Sequence, residues 1–383
     1  MPRPIVIATL LRAQSDTRVQ TYFRTFADYL SKSDRPFALI TPYSAPLWQV
    51  YPVVGLRMLV NLLSPSLGVW WYRYWHAFFL RQALKRHLKS ATEYVIYAQC
   101  PLSALAALAA RVPNRQRLVM VAHFNLSQAD EWADKRSIKR GGRLYRSIQA
   151  TEADVLPRLD GLVFVSDFMR RQLIGRIPAI TGVPCRVVPN FLPDPGVTTS
   201  HGQPAADLIS IGTMEPRKNQ RYALEIVAAA KEMGQPLTLT LVGDGPDRAA
   251  LEAQAQLLGI ESHVQFAGYV KRGSARLTHA RAYLHVARME NLPIVLIEAM
   301  SRGLPVFAPA VGGIPEVFED GVEGRVIPLD DAEKAAKVLL EWMKWPDVLA
   351  TAGKAARRRF IASFQDDTAA ARLDQFLCQS VTA

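Results

Sequence analysis

Short apolar, β-branched runs alternate with amphipathic stretches along the whole 383-residue chain, and no other feature constrains the fold so tightly. In the first half the runs are PIVIAT (4–9), PFALIT (36–41), YVIYAQ (94–99), RLVMVA (117–122) and GLVFVS (161–166). In the second half they are DLISIG (207–212), LTLTLV (237–242), HVQFAG (263–268), AYLHVA (282–287), PVFAPA (305–310) and GRVIPL (324–329). Helical periodicity falls between them, for instance over 219–233, 246–258 and 293–302. Strands apolar on both sides must be covered on both sides, and intervening helices do this for a parallel sheet. The expected class is therefore α/β and doubly wound. The length suits two such domains rather than one.

A boundary is expected in PNFLPDPGVTTSHGQPAA (189–206), which is rich in Pro, Gly, Ser and Thr and carries little periodicity. The expected domains are 1–190 and 191–353, with a charged amphipathic helix over 354–378 packing back onto the first. Charge differs between the halves. Residues 1–190 hold 26 Lys/Arg against 11 Asp/Glu, a net of +15, and residues 191–383 a net of −3. An anionic membrane surface suits this asymmetry, as does a merely soluble basic surface. Nucleic acid is not expected, since no helix-turn-helix, zinc-finger or RNP-like pattern occurs. The three cysteines are far apart and suit a reducing cytosol. The first apolar run reads as a strand rather than a signal peptide, so a cytoplasmic chain is expected.

Residues 42–90 are aromatic-rich and end in a basic helix. Pro42, Pro46, Pro52, Pro65 and Arg57 interrupt every window of bilayer-spanning length. At helical spacing Trp71, Tyr74, Trp75 and Phe78 share a face, with Arg73, Arg81, Lys85, Arg86 and Lys89 elsewhere. An interfacial helix on the inner face of a membrane and a core helix with a solvated basic side both fit.

The chemistry concentrates in ARMENLPIVLIEAMSRGLPV (287–306). Glu290 stands at a strand end, and Glu298 follows it after seven intervening residues, in an apolar helix. Pro293 suits the first helical position, with Asn291 or Leu292 before it and Ile294 after. The N–H groups of such a helix start favour a diphosphate. A carboxylate among Ile294, Val295, Leu296, Ile297, Ala299 and Met300 needs a partner, such as ribose hydroxyls or a structural ion pair.

This segment resembles the E-x7-E signature of glycosyltransferase family 4, retaining enzymes whose GT-B fold sets two Rossmann-like domains about a central cleft. LISIGTMEPRKNQ (208–220), LVGDGPDRAALEAQAQLLGI (241–260), VQFAGYV (264–270) and VGGIPEVFEDGVEGRVIPLDD (311–331) are similar to successive units of its donor domain. VQTYF (19–23), VFVSDFMRRQL (163–173) and VVPNF (187–191) resemble parts of its acceptor domain. The resemblance implies a GDP- or UDP-linked sugar donor with no cofactor or metal, and the basic, aromatic first half suggests a lipid-linked or saccharide acceptor. It places Glu290 at the donor sugar, Glu298 at the ribose and Lys218 at the departing diphosphate. Tyr269 and Val270 would meet the base, and His123 would reach the cleft from the acceptor domain.

The chain also departs from the family pattern. Thr213 follows Gly212 where the family has an arginine, and Arg217 beside Lys218 is expected to supply that charge. Ser15, Asp16, Thr17 and Arg18 replace a glycine-rich loop on the acceptor side, where backbone can no longer approach a phosphate as closely. Pro189-Asn190-Phe191 stands for the usual Pro-Asn-Gly. Two other classes fit the pattern less fully: a catalytically silent GT-B scaffold subunit of a polysaccharide assembly complex, and a sugar-nucleotide epimerase. A nicotinamide dehydrogenase fits least, since no G-x-G-x-x-G follows the first strand of either half.

Overall fold

The computed structural model describes residues 3–12, 18–124, 126–196, 204–271 and 273–379. The chain parts into two compact units between Pro189 and Asn190, and returns to the first unit between Thr368 and Ala369. The first unit runs β1 (Ile5–Ala8), α1 (Arg18–Lys32), β2 (Phe37–Ile40), α2 (Leu47–Leu63), α3 (Pro65–His87), β3 (Val95–Ala98) and α4 (Pro101–Leu108). It continues through β4 (Arg117–Ala122), α5 (Gln128–Asp134), α6 (Arg143–Val155), β5 (Gly161–Phe164), α7 (Asp167–Arg176) and β6 (Cys185–Val187). The second runs β7 (Ala206–Ile211), α8 (Gln220–Glu232), β8 (Leu239–Val242), α9 (Arg248–Leu257), β9 (Val264–Gly268), β10 (Ala280–Leu284) and α10 (Ile294–Ser301). It ends with β11 (Val306–Ala308), β12 (Gly324–Val326), α11 (Ala332–Met343) and α12 (Pro346–Ser363), after which α13 (Asp366–Cys378) leads back to the first unit.

Each unit holds one six-stranded sheet, ordered β2-β1-β3-β4-β5-β6 in the first and β12-β11-β10-β7-β8-β9 in the second. Every strand pairing is parallel. The central strands are buried along their whole length, as β1, β3 and β4 show, which is why they read as unbroken apolar runs. The expected strands all form, β4 with the expected bounds and the others trimmed or shifted at their ends. Strand β6 was not anticipated. It has only three residues, lies at the sheet edge, is largely exposed, and so carries no core pattern.

Two expectations need correction. The helix expected over 354–378 is two helices, because Leu192 N bonds to the Phe364 carbonyl and Asp366 N to the Leu192 carbonyl, each at 3.0 Å. The backbone between α12 and α13 is thereby committed to the linker strand instead of a helical turn. Only α13 reaches the first unit, where Arg35 pairs with Asp374 at 2.9 Å and Arg117 donates to the carbonyls of Phe376 and Leu377. The aromatic face expected on α3 is also divided. Tyr74 and Phe78 are exposed, whereas Trp71 donates to the Val53 carbonyl of α2 at 2.8 Å and Trp75 packs with Val50 and Phe79.

Candidate active site

In the second unit the chain leaves β7 toward β8 and later returns to β7's other flank as β10. The loops beyond these two strands therefore diverge from a topological switch point, where open α/β sheets bind ligands. After β7 a short helical turn, Pro216–Lys218, ends in Asn219, whose left-handed φ of 57° turns the chain into α8. The Asn219 side chain donates to the Val286 carbonyl at 3.1 Å, and Arg288 N bonds to the Arg217 carbonyl at 3.3 Å. These bonds tie the loop after β7 to the loop after β10.

The tie brings the candidate residues together. Lys218 is buried and its Nζ donates to Glu290 Oε1. Arg217 Nη1 lies 3.5 Å from the same oxygen and His285 Nε2 3.7 Å. Burial alone would raise the Glu290 pKa, but Lys218, His285 and Arg217 outweigh it and hold the carboxyl below its ordinary range. Arg217 also bonds to Glu215 at 3.0 Å. Lys218 and Arg217 thus share the buried Glu290 carboxylate, and Glu215 takes up part of Arg217.

The backbone around Glu290 leaves little freedom. Gly313 N donates to the Glu290 carbonyl at 3.0 Å. Asn190 Nδ2 donates to the Leu292 carbonyl at 2.9 Å, with Asn190, Asn291 and Leu292 all buried. Pro293 caps α10 instead of opening it, so Ile294 is the first helical residue. In α10 Glu298 alone reaches the surface in part, and the other seven residues are buried. Thr213 is exposed beyond β7, next to half-buried Gly212, and Gln220 Nε2 bonds to the Thr213 carbonyl at 2.9 Å. Tyr269, just past β9, is 74% exposed, and Val270 is half-buried. An exposed tyrosine at the carboxyl end of an edge strand offers a free aromatic face.

His123 belongs to the first unit, directly after β4, with its ring edge 4.5 Å from Tyr22. Burial pushes its pKa down to about 3, so the imidazole is neutral at pH 7. Its Nε2 has no hydrogen-bond partner among the described residues. Asp16 and Thr17 lie outside the described residues, and Arg18 opens α1 with its side chain also outside them. Two further residues were not legible beforehand. His285 is hidden in AYLHVA as an ordinary strand residue, although it stands five positions before Glu290. Gln99 ends the run YVIYAQ, and both its amide atoms are buried without a hydrogen-bond partner among the described residues.

Residues 200–359 match the family model described as Glycosyl transferases group 1, and residues 19–194 match that of Glycosyltransferase Family 4. Among curated relatives, a GDP-mannose-dependent alpha-(1-6)-phosphatidylinositol monomannoside mannosyltransferase of Mycobacterium tuberculosis is 26% identical over 57% of the chain. That match spans 61% of the relative's own length. An N-acetyl-alpha-D-glucosaminyl L-malate synthase of Bacillus anthracis is 24% identical over 73% of the chain and 80% of the relative. Among solved structures, Anabaena Alr3699/HepE in complex with UDP and glucose aligns with a TM-score of 0.68 at 17% identity, over 99% of the chain and 100% of that structure. The sucrose-phosphate synthase of Thermosynechococcus elongatus aligns with a TM-score of 0.70 at 18% identity, over 97% and 98%.

Proposed function

Because the chain belongs to the group 1 glycosyltransferases, we propose that it moves a sugar from a nucleoside diphosphate donor to an acceptor hydroxyl with retention at the anomeric carbon. The observation that carries this reading is the buried Lys218–Glu290 pair at the switch point of the second sheet, with Arg217 on the same carboxylate oxygen. The second unit takes the donor and the first the acceptor.

Lys218 and Arg217 neutralise the diphosphate, which develops charge as the bond to the anomeric carbon breaks. The same cations now balance Glu290, so an arriving diphosphate competes for them and leaves the carboxylate to the sugar hydroxyls. Glu298 holds the ribose from its half-buried place on α10, and Tyr269 with Val270 meets the base. The acceptor oxygen attacks from the face the diphosphate leaves, and its proton passes to a leaving phosphate oxygen. Neutral His123 offers a ring nitrogen to a hydroxyl without adding charge. Cation side chains do the work that a metal would otherwise do, so no metal is required. The donor is a GDP- or UDP-linked sugar, in keeping with the GDP-mannose dependence named for one relative and the UDP bound in one similar structure. The acceptor is a lipid-linked saccharide at the cytoplasmic face of a membrane, as in surface polysaccharide assembly.

Incubation with UDP- and GDP-sugars and a lipid-linked acceptor tests the reading, with the product's anomeric configuration read by NMR. A retained configuration, with turnover abolished in Glu290→Gln, is expected. An inverted product contradicts the mechanism, and turnover unchanged in Glu290→Gln contradicts the site.

A further inference from the structure

Helix α2 is apolar on both sides. Its inner side packs on α3 through Val50, Val53 and Trp75, and the Trp71 indole bonds across at 2.8 Å. Its outer side carries Trp48, Tyr51, Pro52, Gly55, Leu56, Leu59, Leu62 and Leu63, all exposed. These positions recur every three or four residues and form one stripe along the whole helix. Leu62 is 79% exposed and Leu63 82%. Over 17 residues the stripe runs about 25 Å. Soluble surfaces rarely present so long an unbroken apolar strip.

Helix α3 adds a second stripe at the same spacing. Leu67, Trp70, Tyr74 and Phe78 are exposed along its first fourteen residues, and Arg81, Lys85 and Lys89 continue the line as exposed cations to just past its end. The hairpin's other end is basic too. Ser66 Oγ bonds to the Ser137 carbonyl at 3.2 Å, which sets exposed Lys135, Arg136 and Lys139 beside the α2–α3 turn. No Asp or Glu occurs between Asp34 and Glu93. The two arginines inside the apolar part are drawn in, Arg57 over the Tyr72 ring at 4.6 Å and Arg73 half-buried.

We propose that the α2–α3 hairpin seats the protein on an anionic lipid bilayer, with α2 lying in the interface and its outer stripe among the acyl chains of one leaflet. Charge decides the occupant. A second copy meeting this face about a two-fold axis would bring cationic rims together, whereas anionic headgroups neutralise them. The residue types agree, with leucines for acyl chains, Trp48, Tyr51, Trp70 and Tyr74 for the headgroup boundary, and cations outside. Among the described residues no helix is long and apolar enough to cross a membrane, and this mode requires none. The bilayer is also where the proposed lipid-linked acceptor would be met, although membrane binding does not need the transfer reaction to be right.

Co-sedimentation with phosphatidylcholine vesicles, with and without phosphatidylglycerol, tests it on the full chain, which is compared with Leu59→Glu/Leu62→Glu. Both substituted positions are exposed, and an unchanged melting temperature verifies the fold. The expected result is binding to the phosphatidylglycerol vesicles, a roughly tenfold loss in the double variant, and tryptophan quenching by brominated lipid in the wild type alone. Equal binding of wild type and variant overturns the proposal, as does no binding by either. A wild-type dimer that the substitutions dissolve, without vesicle binding, would assign the stripe to a second copy and overturn it as well. None of these measurements reads turnover, so failure here leaves the transfer reading untouched, and the reverse holds.

Discussion

Gly312 packs its α carbon against the main chain of Glu290 so closely that a β carbon there would lie 1.9 Å from the Glu290 carbonyl oxygen. Its φ of +60° also favours glycine. The glycine pair 312–313 therefore acts through the candidate carboxylate, by fixing the backbone that carries it. Gly312→Ala must shift the backbone at this contact and so disturb the Lys218–Glu290 pair. The expected outcome is at least a tenfold fall in kcat, because displacements of about an ångström are enough to cost that much. Gly321→Ala, at a positive φ of +82° with nothing within 4 Å, separates backbone strain from site displacement and should leave kcat intact.

The Glu290 carboxyl, held below its ordinary value of 4.5, makes a pH-dependent contribution to stability. A lowered folded pKa means that this contribution is present above pH 4.5 and is lost as pH falls through the folded value. Glu290→Gln leaves Lys218 buried without its countercharge, at a cost of about 3 kcal/mol at pH 7. Urea titrations from pH 7 downward should show wild type and variant converging below pH 4.5.

His123 has the same sign of proton balance over a wider window. Its folded pKa lies near 3 against an ordinary 6.5, so between those values the unfolded chain binds a proton that the folded chain refuses. Stability from this residue is complete above pH 6.5 and declines toward pH 3. His123→Gln keeps a polar side chain and should flatten the slope of stability against pH in that window. An unchanged slope would place the ring in contact with water.

Metal removal gives a further test. With Lys218 and Arg217 neutralising the diphosphate, turnover should persist in excess EDTA. Lys218→Ala should lower kcat by about 10²–10³-fold, and divalent ions should not restore it.

Much of the fold is legible in the sequence, because buried parallel strands such as Val95–Ala98 are apolar throughout and leave an unmistakable run. Glu290 and Lys218 were legible as separate residues of two motifs. Their contact spans 72 positions and depends on β10 pairing beside β7, which local pattern does not encode. His285 stayed hidden because it lies inside the apolar run AYLHVA, where it reads as a strand residue until its neighbour across the loop is known. The break before α13 was equally hidden, since Leu192 captures the backbone at Phe364 and Asp366 from far along the chain. On α3, composition located the aromatic face, but only the packing of α2 decided which rings it covers. Asp16 and Thr17 lie outside the described residues.

The most direct test of the central claim is calorimetric titration of UDP and GDP into wild type and Lys218→Ala. Binding of one of the two nucleotides to the wild type, weakened at least tenfold in the variant, is what a diphosphate held by the buried lysine predicts; a ligand at 100 times its dissociation constant should also stabilise the fold by about 2.7 kcal/mol. Equal affinity in both proteins, or no binding of either nucleotide, would contradict the assignment of the Lys218–Glu290 pair as the donor site.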